Sequence, residues 1–295
     1  MQAYQRIFGT TNTHWALLVW LCLFTWGCQR TETTATSIDA PAQPTRIVSL
    51  APNVTEILFA LGKGPAVVGV TKFCDYPPEV EKLPRVGGLI DPNVEAILAL
   101  KPDLVIGVTS SGDPSIARAL ENAKIPFSFQ KMESLEETFA GINAIGRLVG
   151  ATPQANELVA DMRGALSAFE GVPMEGRPKV LMVFGHNPIV AAGPNTFADE
   201  LIVRAGGQNA LAGSQAQWPT LDPEKVLELD PDRILDLSMT AEHDDTFWEK
   251  FPSLSAAQTH NIYQFTDASM MRPGPRLIDA YRRLAMAIRG KHHVH

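Results

Sequence analysis

An α/β protein of two similar lobes joined by one long helix is the fold class this sequence predicts, on three observations. The first is a helical stretch near mid-chain, where Leu158, Val159, Met162, Ala165, Leu166 and Phe169 recur on one face. Thr152 suits its N-cap and Pro153 its first helical position, and Gly171 and Pro173 stop it. At ~1.5 Å per residue, Pro153 to Phe169 makes a rod of roughly 25 Å. The second is an echo between its flanks. Glu95, Pro102 and Asp103 match Glu224, Pro231 and Asp232 at one constant offset, and the apolar runs Leu104-Val105-Ile106 and Ile234-Leu235 follow. Such a repeat is too long and too sparse for a solenoid, so it reads as two half-molecules. The third is strands alternating with helices in both halves, the pattern of parallel sheets. Ligands of such sheets bind at the carboxyl ends of the strands, and small-molecule sites favour clefts between lobes.

With 295 residues and 45% apolar content, the chain can bury one large core or two moderate ones. A net charge of −7 with no basic stripe argues against a nucleic-acid partner. Residues 1–27 read as a secretion signal: Arg6 opens it, and the apolar run Trp15 to Trp26 is shorter than the ~20 residues of a comfortable membrane span. The Gly27-Cys28 junction resembles a bacterial lipoprotein cleavage site with Cys28 acylated, although Thr25 and Trp26 replace the usual aliphatic and small residues. Ordinary signal cleavage or a retained anchor are the alternatives. Cys22 would leave with the signal and Cys28 would carry lipid, so Cys74 stays alone and no internal disulfide is expected. Residues 28–45, rich in Thr, Ala and Pro, read as a flexible tether.

The first lobe is expected over 46–151. It has strands at 46–50, 66–70, 104–108 and 126–129, and helices at 55–61, 94–100, 115–123 and 135–149. A loop at 71–78 carries Phe73, Cys74, Asp75 and Tyr76, and Gly87-Gly88 makes a turn. The connecting helix takes 152–170. The second lobe, 171–290, opens with a near-continuous apolar strand at 179–184, of the kind buried in parallel sheets. Gly185-His186-Asn187-Pro188 reads as a loop at that strand's carboxyl end. A helix at 195–205 ends at Gly206-Gly207, and Trp218-Pro219 precedes the second repeat helix. A strand at 261–266, a loop at 267–275 and a terminal helix at 276–288 complete the lobe. His292, His293 and His295, in a tail from 291 to 295, read as a frayed end rather than a metal site.

Arg46-Ile47-Val48-Ser49-Leu50-Ala51-Pro52-Asn53-Val54-Thr55-Glu56 resembles the opening of class III substrate-binding proteins of ABC importers. Asp75-Tyr76-Pro77-Pro78, Lys101-Pro102-Asp103-Leu104-Val105-Ile106, Ala205-Gly206-Gly207 and Pro273-Gly274-Pro275-Arg276 fit the same family, in order, over about residues 45 to 290. The resemblance implies two Rossmann-like lobes bridged by one rigid helix, and a ligand that is cobalamin, haem or a ferric siderophore. It also implies delivery to an ABC permease dimer with its ATPase subunits, a location in the periplasm or on the outer face of the cytoplasmic membrane, and no cofactor of the protein's own. It puts cobalamin or a related corrinoid first, because Trp218-Pro219 and Asp75-Tyr76-Pro77-Pro78 match the cobalamin-binding subgroup. Phe73 falls at an aromatic cleft position of that subgroup, and Leu89 near one of its tryptophans. Haem binders usually carry a tyrosine after Val-Gly, where Val86-Gly87 is followed here by Gly88.

The ligand contacts expected are Phe73, Tyr76, Leu89, His186, Asn187, Trp218, Met270 and Arg272. Trp218 either caps the second lobe's core or covers a flat macrocycle by stacking and apolar burial. One of Phe73 and Tyr76 is expected to belong to the core, with Phe73 favoured for the ligand. His186 is a candidate cobalt or iron ligand, against the ordinary alternative of a hydrogen bond within its own loop. Cys74 reads as a small buried hydrophobe. Asn93 and Asp222 look like N-caps, which places Glu95 and Glu224 in first helical turns, where the helix dipole favours a carboxylate. The resemblance adds that one such glutamate per lobe pairs with arginines of the two permease subunits. The rivals are an exported α/β enzyme using Cys74 and His186 as nucleophile and base, and a sensor or adhesin of the same fold. The chain carries no phosphate-binding glycine loop, serine elbow or paired-histidine zinc motif. The reading is therefore a monomeric binding protein, not an enzyme.

Overall fold

Short β-branched runs bounded by Pro, Gly and Asn form the strands here, and the amphipathic runs between them form the helices. The computed structural model describes residues 43–111, 114–168, 176–238, 246–267, 270 and 272–290. Cys28, the expected signal, Phe169, Gly171, Pro173, the histidine tail and all but the end of the tether lie outside them. The first half runs β1 (Ile47–Ser49), α1 (Pro52–Ala60), β2 (Val67–Val70), α2 (Val94–Ala99), β3 (Leu104–Val108), α3 (Pro114–Asn122), β4 (Phe127–Gln130) and α4 (Leu135–Leu148). Next comes α5 (Thr152–Ser167), then β5 (Lys179–His186), β6 (Ile189–Ala191), α6 (Phe197–Arg204), β7 (Gln208–Asn209) and β8 (Thr220–Leu221). The chain finishes with α7 (Pro223–Leu229), β9 (Arg233–Asp236), α8 (Ser255–Gln258), β10 (Ile262–Gln264) and α9 (Leu277–Arg289). No helix of the described residues is long and apolar enough to cross a membrane.

Two sheets form, as the internal echo predicts. The first has the order β2-β1-β3-β4 and is parallel throughout. The second has the order β10-β9-β5-β6-β8, with β7 also paired to β5. It is mixed, not parallel, because β6 pairs antiparallel with both β5 and β8. The stretch expected as a loop after residue 184 is therefore a hairpin: β5 continues to His186, turns at Asn187-Pro188 and returns as a three-residue strand. That strand is too short to show an alternation in sequence.

Side chains alternate across each sheet, as the pleat requires. Ile47, Leu104, Ile106, Val180, Met182 and Leu235 face one common core, which also takes the buried face of α5 through Ala155, Val159, Met162 and Leu166. Val48, Val105 and Phe127 face a separate outer layer on the first sheet, and Leu181, Val183 and Ile234 face another on the second. The lobes thus share an inner core instead of owning one each. The connecting helix starts one residue earlier than its sequence suggests: Ala151 takes the cap position without a side-chain bond, and Thr152 enters the first turn. Ala151 N–H is already held by the Gly146 carbonyl at 2.7 Å, so α4 turns into α5 within three residues. The two helices pack closely there, since a Cβ on Gly146 would lie 2.4 Å from that of Ala155.

Candidate functional site

Loops that follow β4, follow β6 and precede β8 build the site. After β4 come Met132 and Glu133; ahead of α6 come Asn195 and Thr196; ahead of β8 come Gln217 and Trp218. Together with Phe197 and Pro273 they enclose a cavity of about 460 Å³ whose walls come from both halves of the chain. Thr196 is buried because it caps α6, accepting the Asp199 N–H at 3.1 Å and donating to the Gly193 carbonyl. A second cavity of about 490 Å³ adjoins it, lined by Ser134, Asp199, Glu200, Val203 and Arg204 beside shared Glu133, Asn195 and Thr196. There Glu200 of α6 accepts the Leu135 N–H at 3.0 Å and so caps α4 across the lobe boundary.

Trp218 is 48% exposed at this cavity, which excludes the alternative of a core cap. Its ring meets Phe184 at the end of β5 edge to face, with centroids 5.2 Å apart at 85°. Phe184 packs on the common core, so it props an otherwise free indole. Phe73 and Tyr76 are also exposed, at 49% and 43%. Neither belongs to the core, against the expectation that one would. Lys72 Nζ lies 5.1 Å from the Phe73 ring, and the Arg276 guanidinium covers one face of Tyr76 at 4.3 Å. Leu89 is half-buried against the core, and its neighbour Ile90 presents the larger apolar surface at 75% exposure. Sequence reasoning missed Ile90 because nothing in its surroundings distinguishes it from any loop isoleucine.

Three expected contacts are corrected. Met270 is 1% exposed and belongs to the core, so it offers no cleft surface. Arg272 is committed to carboxylates, donating to Asp75 with both terminal nitrogens and to Glu56 Oε1 at 3.3 Å. His186 is not a free ligand either. Its Nε2 lies 2.8 Å from Asp236 Oδ2 and 3.0 Å from Ser238 Oγ, and its ring stacks flat on Phe247 at 3.9 Å. An irregularity in the β5–β6 register between Val183 and Gly185 breaks the alternation there. His186 therefore joins Phe247 and Trp248 on the outer face, while Phe184 points to the inner core. Asn187 occupies the exposed turn of that hairpin and is not part of either cavity's lining.

The buried polar group beneath these residues is Asp236, whose side chain is fully enclosed. It accepts from Trp248 Nε1 at 2.7 Å and from the Ser238 backbone N–H at 3.0 Å, besides its contact to His186. Serine and aspartate meet the same imidazole nitrogen while Nδ1 has no partner among the described residues, so this is no catalytic relay, which needs both nitrogens. Cys74 is buried elsewhere, with its Sγ 3.2 Å from the hydroxyls of Thr55 and Thr71. Cys74 and His186 therefore have separate partners, and the nucleophile–base pair of the enzyme reading does not form. Among the described residues no group of three or more His, Cys, Asp or Glu could hold a metal ion.

Glu95 and Glu224 stand where the echo predicts. Asn93 accepts the Ala96 N–H at 2.8 Å and Asp222 the Lys225 N–H at 3.2 Å, so both glutamates lie in capped first turns. Both are exposed, and neither pairs with a cation among the described residues.

A second charged group was hidden from sequence reasoning. Glu56 of α1 is 2% exposed at its side chain and receives Arg276 through two bonds of 2.6 and 3.0 Å. Its signal was a lone carboxylate within the apolar run Val54 to Leu61. Asp236, closing an apolar strand, carried the same signal.

Comparison with known proteins agrees with this geometry. An ABC transporter substrate-binding lipoprotein of unknown specificity, YvrC from Bacillus subtilis, is 30% identical and covers 93% of this chain and 96% of its own. The haem-binding protein RhuT from Roseiflexus superposes with a TM-score of 0.74 at 29% identity, over 84% of this chain and 98% of its own. The vitamin B12-binding protein BtuF of Vibrio cholerae superposes with a TM-score of 0.69 at 27% identity, over 84% and 98%. Both structures share the two-lobe α/β fold described above. The periplasmic binding protein family model matches residues 47–268. The chain belongs to that family, and as one of its members it is a substrate-binding protein rather than an enzyme.

Proposed function

We propose that the protein captures a corrinoid such as cobalamin between its lobes and hands it to an ABC permease dimer with its ATPase subunits. The observation that carries this reading is the exposed Trp218 at the wall of the inter-lobe cavity, propped by Phe184; Phe73 and Tyr76 line neither cavity but are exposed on the first lobe and join the proposal as further contacts. Large exposed aromatic faces beside a concavity suit a bulky, largely apolar guest. Cobalamin carries its own axial base and asks no metal ligand of the protein. That matches a chain in which His186 is bound to Asp236 and Gly88 follows Val86-Gly87. The similarity to a vitamin B12-binding protein supports the same choice. A haem reading is supported by the similarity to RhuT, but it asks an axial ligand of the protein, where His186 is bound to Asp236 and Gly88 follows Val86-Gly87.

Glu95 and Glu224, exposed on equivalent helices and without a cation partner among the described residues, serve in this proposal as the permease anchors, one per lobe, and Cys28 as the acylated residue that tethers a monomer outside the cytoplasmic membrane. The test of the ligand is a titration of the chain with cyanocobalamin, haemin and a ferric siderophore, followed by tryptophan quenching. Cyanocobalamin is expected to quench saturably. Trp218→Ala is expected to weaken binding by about tenfold or more, as loss of a central aromatic contact does, without lowering the melting temperature. A response to haemin alone overturns the corrinoid reading.

A further inference from the structure

Residues 272–276, ahead of α9, contact the first lobe. β10 belongs to the second sheet, and α9 packs on α5, α6 and β9. Between them, Pro273 accepts from Asn53 Nδ2 at 3.4 Å, and Gly274 lies so close that a Cβ there would sit 3.6 Å from that of Asn53. From this stretch two arginines reach the first lobe. Arg276 holds Glu56 and covers Tyr76, and Arg272 holds Glu56 and grips Asp75 through both terminal nitrogens. Each arginine thus joins the buried carboxylate of α1 to the loop that carries the exposed aromatics. The earlier part of that loop is fixed from within its own lobe, where Arg85 Nη1 donates to the Thr71 and Cys74 carbonyls at 3.0 and 2.7 Å. Asp75 and Tyr76 are held from the far side.

We propose that Arg272 and Arg276 are positioning residues, a clasp that fixes the Asp75–Tyr76 half of the loop to the segment entering α9, so that the loop with the exposed aromatics follows the second lobe. The assignment rests on the ligand reading above for its effect on binding, but not for the clasp itself. Its two ends differ in strength. Glu56 is enclosed between two guanidiniums, and parting such a group from its partners is costly. Asp75 is 59% exposed at its side chain, where solvent screens the pair, so it is the end that lets go. Arginine's planar fork is required at 272, because an ammonium cannot meet both oxygens of Asp75 in one plane.

Hydrogen exchange read by mass spectrometry on the ligand-free chain tests the clasp, with wild type beside Asp75→Asn, Arg272→Gln and Arg272→Lys. The amides of Asp75 and Tyr76 are expected to exchange about tenfold faster in the Asn and Gln variants and by an intermediate factor in the Lys variant, while those of residues 72–74, held through Arg85 and their own backbone bonds, keep the wild-type rate. The melting temperature of Asp75→Asn should stay that of wild type, whereas Arg272→Gln also takes a donor from buried Glu56 and lowers it. Cyanocobalamin dissociation should quicken by about the same factor, with association changed less than about twofold. A merely structural role would lower the melting temperature of Asp75→Asn as well and leave this split unseen. Unchanged exchange at Asp75 and Tyr76 in both Asp75→Asn and Arg272→Gln overturns the clasp. If wild type does not respond to cyanocobalamin, the corrinoid reading fails, and the exchange rates alone still decide the clasp.

Discussion

At Asp236 one carboxylate organises three groups: Ser238 two residues on, Trp248 twelve residues on, and His186 fifty residues back. A fully buried carboxylate is tolerable only when its oxygens receive donors, and here an indole N–H, a backbone N–H and an imidazole supply them. Asp236→Asn keeps the shape but sets an NH2 group against one of those donors. Such a buried mismatch costs about 3 kcal/mol, which lowers the melting temperature of a domain this size by roughly 6–12 °C. Trp248→Phe retains most of the ring packing and removes only the donor, so it should cost about 1 kcal/mol. Equal melting temperatures for wild type and Asp236→Asn, measured by circular dichroism, would remove Asp236 from this role. The same residues show why His186 was misread. A histidine after an apolar strand looks poised over a cleft, and a one-residue irregularity in the hairpin register turns it to the other face.

At the level of elements, the echo between the halves proves to be one structural unit used twice. In each, a helix capped by Asn93 or Asp222 ends at a left-handed residue, Lys101 or Asp230, and the following Pro-Asp enters a strand. Asp103 then accepts the backbone N–H of Arg46 at 2.9 Å, and Asp232 that of Lys179 at 2.7 Å, ahead of β1 and β5. In return Arg46 donates to the Leu100 carbonyl at 2.7 Å, and Lys179 Nζ to the Leu229 carbonyl at 2.9 Å. The repeat, its caps and its strands were legible because their signals are local. The partners of each aspartate were not, since they lie more than fifty residues away. Burial works against the Asp103 charge, but the N–H groups of Thr45 and Arg46 outweigh it and hold the carboxyl below its ordinary value of 3.8. A carboxyl with a depressed folded pKa adds stability that is complete above the unfolded value and fades as pH falls through the folded one. Asp103→Asn should therefore cost about 1 kcal/mol or less at neutral pH after solvent screening. The gap from wild type should narrow as pH falls below the ordinary carboxyl value of 3.8. Urea midpoints at both pH values check this, and a gap that widens in acid would contradict it.

Over the whole molecule, the inner core runs unbroken from the first sheet through α4, α5 and α9 to the second. Alternation along each strand told which residues were buried, but not that the inner faces of two sheets would share one interior; that depends on contacts between distant segments. The clasp through Glu56 was invisible for the same reason, its arginines lying 216 and 220 residues away. A shared core resists large hinge motions, because opening it would expose apolar surface from both lobes at once. The distance between α2 and α7 is accordingly fixed by the body of the protein, and with it the distance between Glu95 and Glu224. Two exposed carboxylates at a fixed separation, on equivalent helices, suit a partner with two-fold related basic sites. Among the described residues neither has a cation of its own to leave when it docks, so a charge reversal changes the encounter and not the fold. Glu95→Lys with Glu224→Lys should therefore abolish most uptake in cells, with either single change causing a partial loss. Ligand affinity by tryptophan quenching and the melting temperature should both match wild type. Undiminished uptake by the double variant would remove these two residues from the permease interface, and a loss of affinity alongside the loss of uptake would place them at the ligand instead.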